Sequence, residues 1–395
     1  MTDELPQEPV AAEVPRKRRS LVTVLLIVLV ALLALSCAAC LVGGYFLGRP
    51  GEAIPPTHFI DESTRGIIVL RVDATNPGLR QVLAYVGDSA IKHKLAKEEA
   101  VRRFVQPLKS GQGNPIPSFT VIASYKGTGA ADVRTFGVAV LRELPRWMRI
   151  GADRYFRGIA SDAKGQPFGN RLIVDGKKMM EALRRKGTDP GSTVRAVLEE
   201  SQLSFTDSCV FVGRKAADVQ AGMEALDAPE PSAQWPFMQL YGRADSTATI
   251  YGALSNENDL LLAALVPADR MAEMREKIGT AIFLDPQQVK NVTFSVVFVS
   301  DDKATVQLTG EGGNPDVANQ IAAGVQAFGA SKVEADKQVP LRFAVTSAEV
   351  KGSACTATVK VTGLRALIDN LMADLAARKA QSEDASPAAG TQPRK

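Results

Sequence analysis

The chain has few of the side chains on which most enzyme and metal sites are built. Two histidines, His58 and His93, serve 395 residues, so a histidine-rich metal centre is excluded. Of the four cysteines, Cys37 and Cys40 fall inside an apolar run. That leaves Cys209 and Cys355, a pair compatible with an oxidising compartment but too sparse for a disulfide scaffold. There is no Gly-x-Ser-x-Gly elbow, phosphate-binding glycine loop, His-Glu-x-x-His helix or dinucleotide fingerprint. A net charge of +4 is small for this length and is spread along the chain, which gives no basis for a nucleic-acid partner. The expectation is therefore no catalytic residue, no metal ligand and no cofactor.

What remains of catalytic vocabulary is thin. Ser-x-x-Lys occurs three times, at Ser89–Lys92, Ser161–Lys164 and Ser300–Lys303. In Ser/Lys acyl enzymes the lysine lies one helical turn from the nucleophile, and Ser-x-Asn and Lys-Thr-Gly elements complete the site. This chain carries Lys126-Gly127-Thr128-Gly129 instead, at a hairpin turn. His93, between Lys92 and Lys94, reads as a solvated helix face rather than a general base. Asp301-Asp302 reads as turn chemistry rather than a calcium site. Lys177, Lys178, Arg184, Arg185 and Lys186 make one helix flank basic. Such a flank is commonly just solvated, and it also suits an anionic envelope polymer or lipid headgroups.

The most informative stretch is Leu21 to Leu47, uncharged throughout. As a helix it would be roughly 40 Å long against a hydrocarbon core of ~30 Å, so it can span a bilayer with tilt. Arg16, Lys17, Arg18 and Arg19 abut one end and only Arg49 follows the other. The expected topology is therefore single-pass in the inner membrane, with the N-terminus cytoplasmic and the rest periplasmic or extracellular. The run is too long for the core of a cleaved signal peptide. A lipoprotein signal ending at Cys37 or Cys40 stays open as an alternative.

Around this anchor the chain divides by composition. Residues 1–20 form a proline-containing cytoplasmic tail without apolar period, acidic over 1–15 and basic at 16–19, expected to be disordered, and 48–63 a proline-rich stalk. Overall 45% hydrophobic and 23% charged residues fit globular material, and about 320 residues are enough for two modules. A first α+β module is expected over 64–228, a linker marked by Pro229, Pro231 and Pro236 over 229–246, a second module over 247–376, and a disordered tail over 377–395. Each half reads strand, helix pair, hairpin, helix, further strands, helix. In the first, GIIVLRV from Gly66 is a buried strand, and two helices over 79–108 break at Gly87-Asp88. A hairpin then spans 118–125 and 133–141, and one strand covers 203–212. In the second, 247–254 opens, 260–265 and 270–278 are helical, 293–299 pairs with 304–309, and a helix covers 364–375. The expectation is a duplicated α+β unit with antiparallel sheets and covering helices. Cys209 and Cys355 hold equivalent places in it, so a cross-half disulfide is conceivable beside the alternative of two separate buried thiols.

The basic-flanked anchor, the proline-rich stalk, Cys209-Val210-Phe211-Val212-Gly213 leading into 216–226, and 292–308 followed by 318–328 together resemble a class of bacterial single-pass membrane-anchored proteins. In that class the exported region is a domain of unknown function. The resemblance implies no catalytic residues. The function expected is that of a non-enzymatic binding or scaffold module of the cell envelope, in contact with the lipid bilayer and with an envelope protein or polymer. The alternative is an exported hydrolase or transferase with a site of scattered Asp, Ser and Lys.

Overall fold

β-branched and aliphatic residues run through Thr64–Val72 (β1), and the strand buries side chains on both faces. It stands near the middle of a sheet described by a computed structural model covering residues 54–95, 98–111, 118–128, 132–141, 146–187, 198–206, 208–229, 231–257, 286–330 and 341–384. The expected anchor and cytoplasmic tail with Arg16 to Arg19, Cys37, Cys40, the helices expected within 258–285 and the last eleven residues lie outside this range. Among the described residues no helix is long and apolar enough to cross a membrane.

After β1 come α1 (Pro77–Lys92), α2 (Glu98–Ser110), β2 (Phe119–Lys126), β3 (Arg134–Val140), α3 (Arg146–Asp162), β4 (Gln166–Phe168), β5 (Arg171–Asp175) and α4 (Gly176–Arg185). These are followed by β6 (Gln202–Phe205), β7 (Cys209–Gly213), α5 (Ala216–Asp227), α6 (Pro236–Tyr241), β8 (Ile250–Ser255) and β9 (Val289–Phe298). The chain continues through β10 (Lys303–Gly312), α7 (Pro315–Ala330), β11 (Arg342–Lys351), β12 (Ala354–Thr362) and α8 (Leu364–Asp384). Twelve strands form one sheet in the order β11-β12-β10-β9-β8-β1-β2-β3-β7-β6-β5-β4. Every pairing is antiparallel. The fold is thus mixed α+β around a large antiparallel sheet.

The order reads alike in both directions from the β1–β8 pair. One side runs β1-β2-β3-β7-β6, the other β8-β9-β10-β12-β11, and β5 and β4 extend the first side alone. Tyr125 stitches the centre: its ring lies over Gly66 of β1, where a Cβ would fall 1.8 Å from it, and its hydroxyl donates to the Ser255 carbonyl at 2.6 Å. Only glycine leaves room for that ring.

Strand alternation sorts the core. One face carries Leu70, Val72, Phe119 and Val121 under α1 and α2, then Ala139, Val174, Leu203 and Val210 under α3 and α4. The opposite face carries Ile67, Val69, Ile122, Val138 and Phe211 under α5, α6 and a 3-10 turn at Pro56–Phe59. Beyond β8 the helix-covered face continues through Val296, Ala304, Val359 and Val361. Its other end is closed by α7 over Cys355.

Several expectations change. Residues 54–63 are not stalk: Phe59 and Ile60 are 0% and 1% exposed in the core beneath α5. The stretch 229–246 is not a plain linker either, because α6 buries Phe237, Leu240 and Tyr241 against β1 and β8. α1 runs through Gly87-Asp88, since Gly87 is where α2 comes closest, with a Cβ there meeting Val105 Cγ2 at 2.3 Å. The single strand expected over 203–212 is the β6–β7 hairpin, turned by Thr206, whose Oγ1 accepts from the Cys209 N–H at 2.8 Å. α8 continues to Asp384, into the expected tail.

Candidate functional site

Polar groups from distant parts of the chain converge between α1 and α8. Asn76 caps α1, its side chain accepting from the Leu79 N–H at 3.0 Å, with Pro77 at the first helical position. Helical spacing then places Tyr85, Ser89 and Lys92 on one stripe. Asp369 of α8 meets all three: it accepts from the Ser89 hydroxyl at 2.5 Å, from Lys92 Nζ at 2.7 Å and from the Tyr85 hydroxyl at 3.1 Å. The start of α8 is held by the β9–β10 turn. Asp302 accepts from the Arg365 N–H at 3.2 Å, Asp301 pairs with the Arg365 guanidinium at 2.7 Å, and that guanidinium lies over the Tyr85 ring. Asp301-Asp302 is therefore a helix cap.

This cluster contains the Ser89–Lys92 tetrad, and its electrostatics speak against acyl chemistry. The Lys92 and Ser89 hydrogen bonds hold the Asp369 carboxyl below its ordinary value, making it a weak base. Lys92 is pushed up by its hydrogen bond to Asp369 and stays an ammonium. Burial, then Asp369, pushes the Tyr85 phenol up. Ser89 is 2% exposed, so its hydroxyl does not face solvent. His93 is not on a solvated face: its side chain is 21% exposed, and Nε2 points towards Asp369 Oδ1 at 4.0 Å without a hydrogen-bond partner. The arrangement is a clasp holding α8 on α1. The other two tetrads shape turns: the Lys164 N–H donates to the Ser161 carbonyl after α3, and the Lys303 N–H to the Ser300 carbonyl.

A second convergence lies at the end of β2. Lys126, 3% exposed, pairs with Asp61 and lies over the Phe136 ring at 5.3 Å. Asp61 also accepts from the Ser63 hydroxyl at 2.7 Å and from the Thr64 hydroxyl at 3.1 Å. Burial drives the Lys126 amine down against the pull of Asp61. It would drive Asp61 up, but the Lys126 ammonium and the two hydroxyls outweigh it, and the carboxyl ends below its ordinary value. Around the pair is a cavity of about 260 Å³, lined also by Thr128, Asp132, Arg134 and Glu224. A larger one of about 320 Å³ lies between α1 and α2, where Lys109–Asp88 and Arg102–Glu98 are already paired. The first falls below, and the second at the lower end of, the roughly 300–1,000 Å³ of ordinary ligand pockets. Sequence reasoning missed Lys126 because its signal, a lysine in an otherwise apolar strand, was absorbed into the hairpin.

Cys209 and Cys355 are free and buried. They occupy equivalent strands β7 and β12, but six strands stand between them. The conceivable cross-half disulfide is therefore not made, because the two strands stand on opposite sides of the central β1–β8 pair. Among the described residues no three His, Cys, Asp or Glu side chains are grouped to hold a metal.

One face of β10 to β12 carries polar side chains that no helix covers among the described residues. Its registers continue from β9 in three rows, Thr293–Thr309–Thr356–Glu349, Ser295–Gln307–Thr358–Ser347 and Val297–Thr305–Lys360–Ala344, in which Thr293 and Ser295 are buried beside β8 and the β10 to β12 members are half-buried or exposed. Gln307, Ser347 and Lys360 are exposed, and the Thr309 and Thr356 hydroxyls lie 3.0 Å apart. In the first half the last helix, α5, covers this face. In the second, α8 packs on α1 instead and leaves it open. The chain matches no family model, no curated protein and no solved structure.

Proposed function

We propose that this is a non-enzymatic binding module of the cell envelope, tethered by residues 21–47 with its N-terminus cytoplasmic, whose contact surface is the open hydroxyl-rich face of β10 to β12. The observation that carries the reading is that face. A regular array of Thr, Ser and Gln side chains, in strands ~4.8 Å apart, offers repeated donors and acceptors to an extended partner such as an envelope protein strand or polymer. A catalytic site needs a concave, water-excluding pocket instead. The mirrored strand order supports an origin by duplication, with the two halves now differing in the cover of this face. The test is affinity capture by the full chain from its own envelope. A protein or polymer retained reproducibly is expected, and repeated failure to retain either would overturn the reading.

The second reading, an exported hydrolase or transferase, is favoured by one observation: Lys126, Asp61 and Ser63 share a cavity, and burial lowers the affinity of the amine for its proton. Under it, an amine-directed reagent would modify Lys126 faster than surface lysines. Protection of Lys126 in the folded chain would count against it.

A further inference from the structure

The basic flank noted in the sequence becomes, once folded, part of a larger surface. Between Arg146 and Gly187 eleven lysines and arginines stand against four carboxylates, a local charge of +7 in a chain whose total is +4. α4 buries Met179, Met180, Ala182 and Leu183 and exposes Lys177, Lys178, Arg184 and Arg185, with Glu181 the one acidic residue on the exposed stripe. α3 packs beside it and buries Ile159 and Ala160. The two exposed faces meet where Lys186 Nζ bonds Asp162 at 2.8 Å, close to Gly158 of α3. Arg154, Lys177, Lys178 and Arg184 make no ion pair among the described residues.

The same surface carries apolar groups where solvation alone would not put them. Ile150 and Tyr155 of α3 are 41% and 44% exposed, two of four large hydrophobic side chains so exposed among the described residues. Ile150, Arg154 and Arg157 fall on one helical stripe, with Tyr155 at its flank. Cations alone would serve a soluble polyanion. Cations interleaved with an isoleucine and a tyrosine match the headgroup level of a bilayer, where phosphates meet the first methylenes.

We propose that the exposed faces of α3 and α4 form a peripheral docking surface for a bilayer containing anionic lipid. One supporting point rests on the anchor reading. From Leu47 to the buried Ile54 there are seven residues, no more than ~25 Å of chain, so a tethered domain cannot stand far from the membrane. The charge and the exposed apolar groups stand without it.

The test uses the full chain with Tyr155→p-benzoylphenylalanine, reconstituted with nanodiscs of phosphatidylcholine alone or with phosphatidylglycerol, and irradiated. Retention on neutral discs reports the anchor. Lipid cross-linked at position 155 reports the docking surface, so the two readings fail separately. Cross-linking should rise roughly tenfold or more with anionic lipid, and should fall to the neutral level in high salt or on adding R154E and K178E. Both substitutions are at exposed positions and should leave the thermal unfolding midpoint unchanged. Equal yields on both lipids would overturn the proposal. So would binding of polyphosphate in solution without any lipid adduct, which would assign the face to a soluble polyanion.

Discussion

At the level of single residues, the structure gives roles to side chains that the sequence offered only as fragments of motifs. Asp369 has no local signature, because its partners lie 277 to 284 positions away and pattern reading is blind to that distance. Asp369→Ala would leave the Ser89 hydroxyl buried without an acceptor. It is expected to cost about 1–3 kcal/mol, read as a lower urea midpoint. Asp61 and Asp369 both lie below the ordinary aspartate value of 3.8 when folded. The unfolded chain therefore binds more protons in acid, and the stability these groups add is present above that value and lost as pH falls below it. Urea midpoints at pH 3 and 7 should differ less for Asp369→Ala than for the unaltered chain. Lys126→Met removes one partner of a largely buried ion pair and should destabilise by about 2–4 kcal/mol, with Asp61→Asn added to it restoring most of the loss. An unrestored double variant would mean that the amine matters for more than charge balance.

Elements were the most legible scale where one face is buried. The period of 3.6 located α5 and α7, and alternation located the β2–β3 and β9–β10 hairpins, because burial on one side writes itself into the sequence. Boundaries failed where a third body intervened. Gly87-Asp88 looked like a break because glycine disfavours helix, but the glycine is there for α2. Gly87→Ala would add a methyl against Val105, which is 2% exposed and stiff at χ1. It should destabilise by about 1–3 kcal/mol despite its better helix propensity, with Val105→Ala partly compensating. A stabilised Gly87→Ala chain would show that α1 and α2 are packed more loosely than described. The proline-rich segment from 54 was misread for a similar reason, as Phe59 and Ile60 are too few to show a period and yet are core.

For the whole molecule, the similar element order of the two halves was legible, but their joining in one sheet was not. Register between β1 and β8 is set by contacts over about 180 residues, beyond any local pattern. The proline cluster at 229–236 suggested a domain boundary, yet the sheet crosses it. Residues 54–229 expressed alone would expose β1 as an edge, apolar on both faces, and should aggregate. A monomeric fragment with dispersed amide resonances would instead make the halves independent domains. The face of β10 to β12 that the described helices leave open follows from the same asymmetry, since α8 is clasped to α1 rather than laid across it. The most direct test of that face as the binding surface compares envelope capture by the full chain with capture by Thr305→Arg/Gln307→Arg, two substitutions that leave the core untouched. Loss of the retained partner at an unchanged unfolding midpoint is the predicted result, and equal retention by both chains would contradict it.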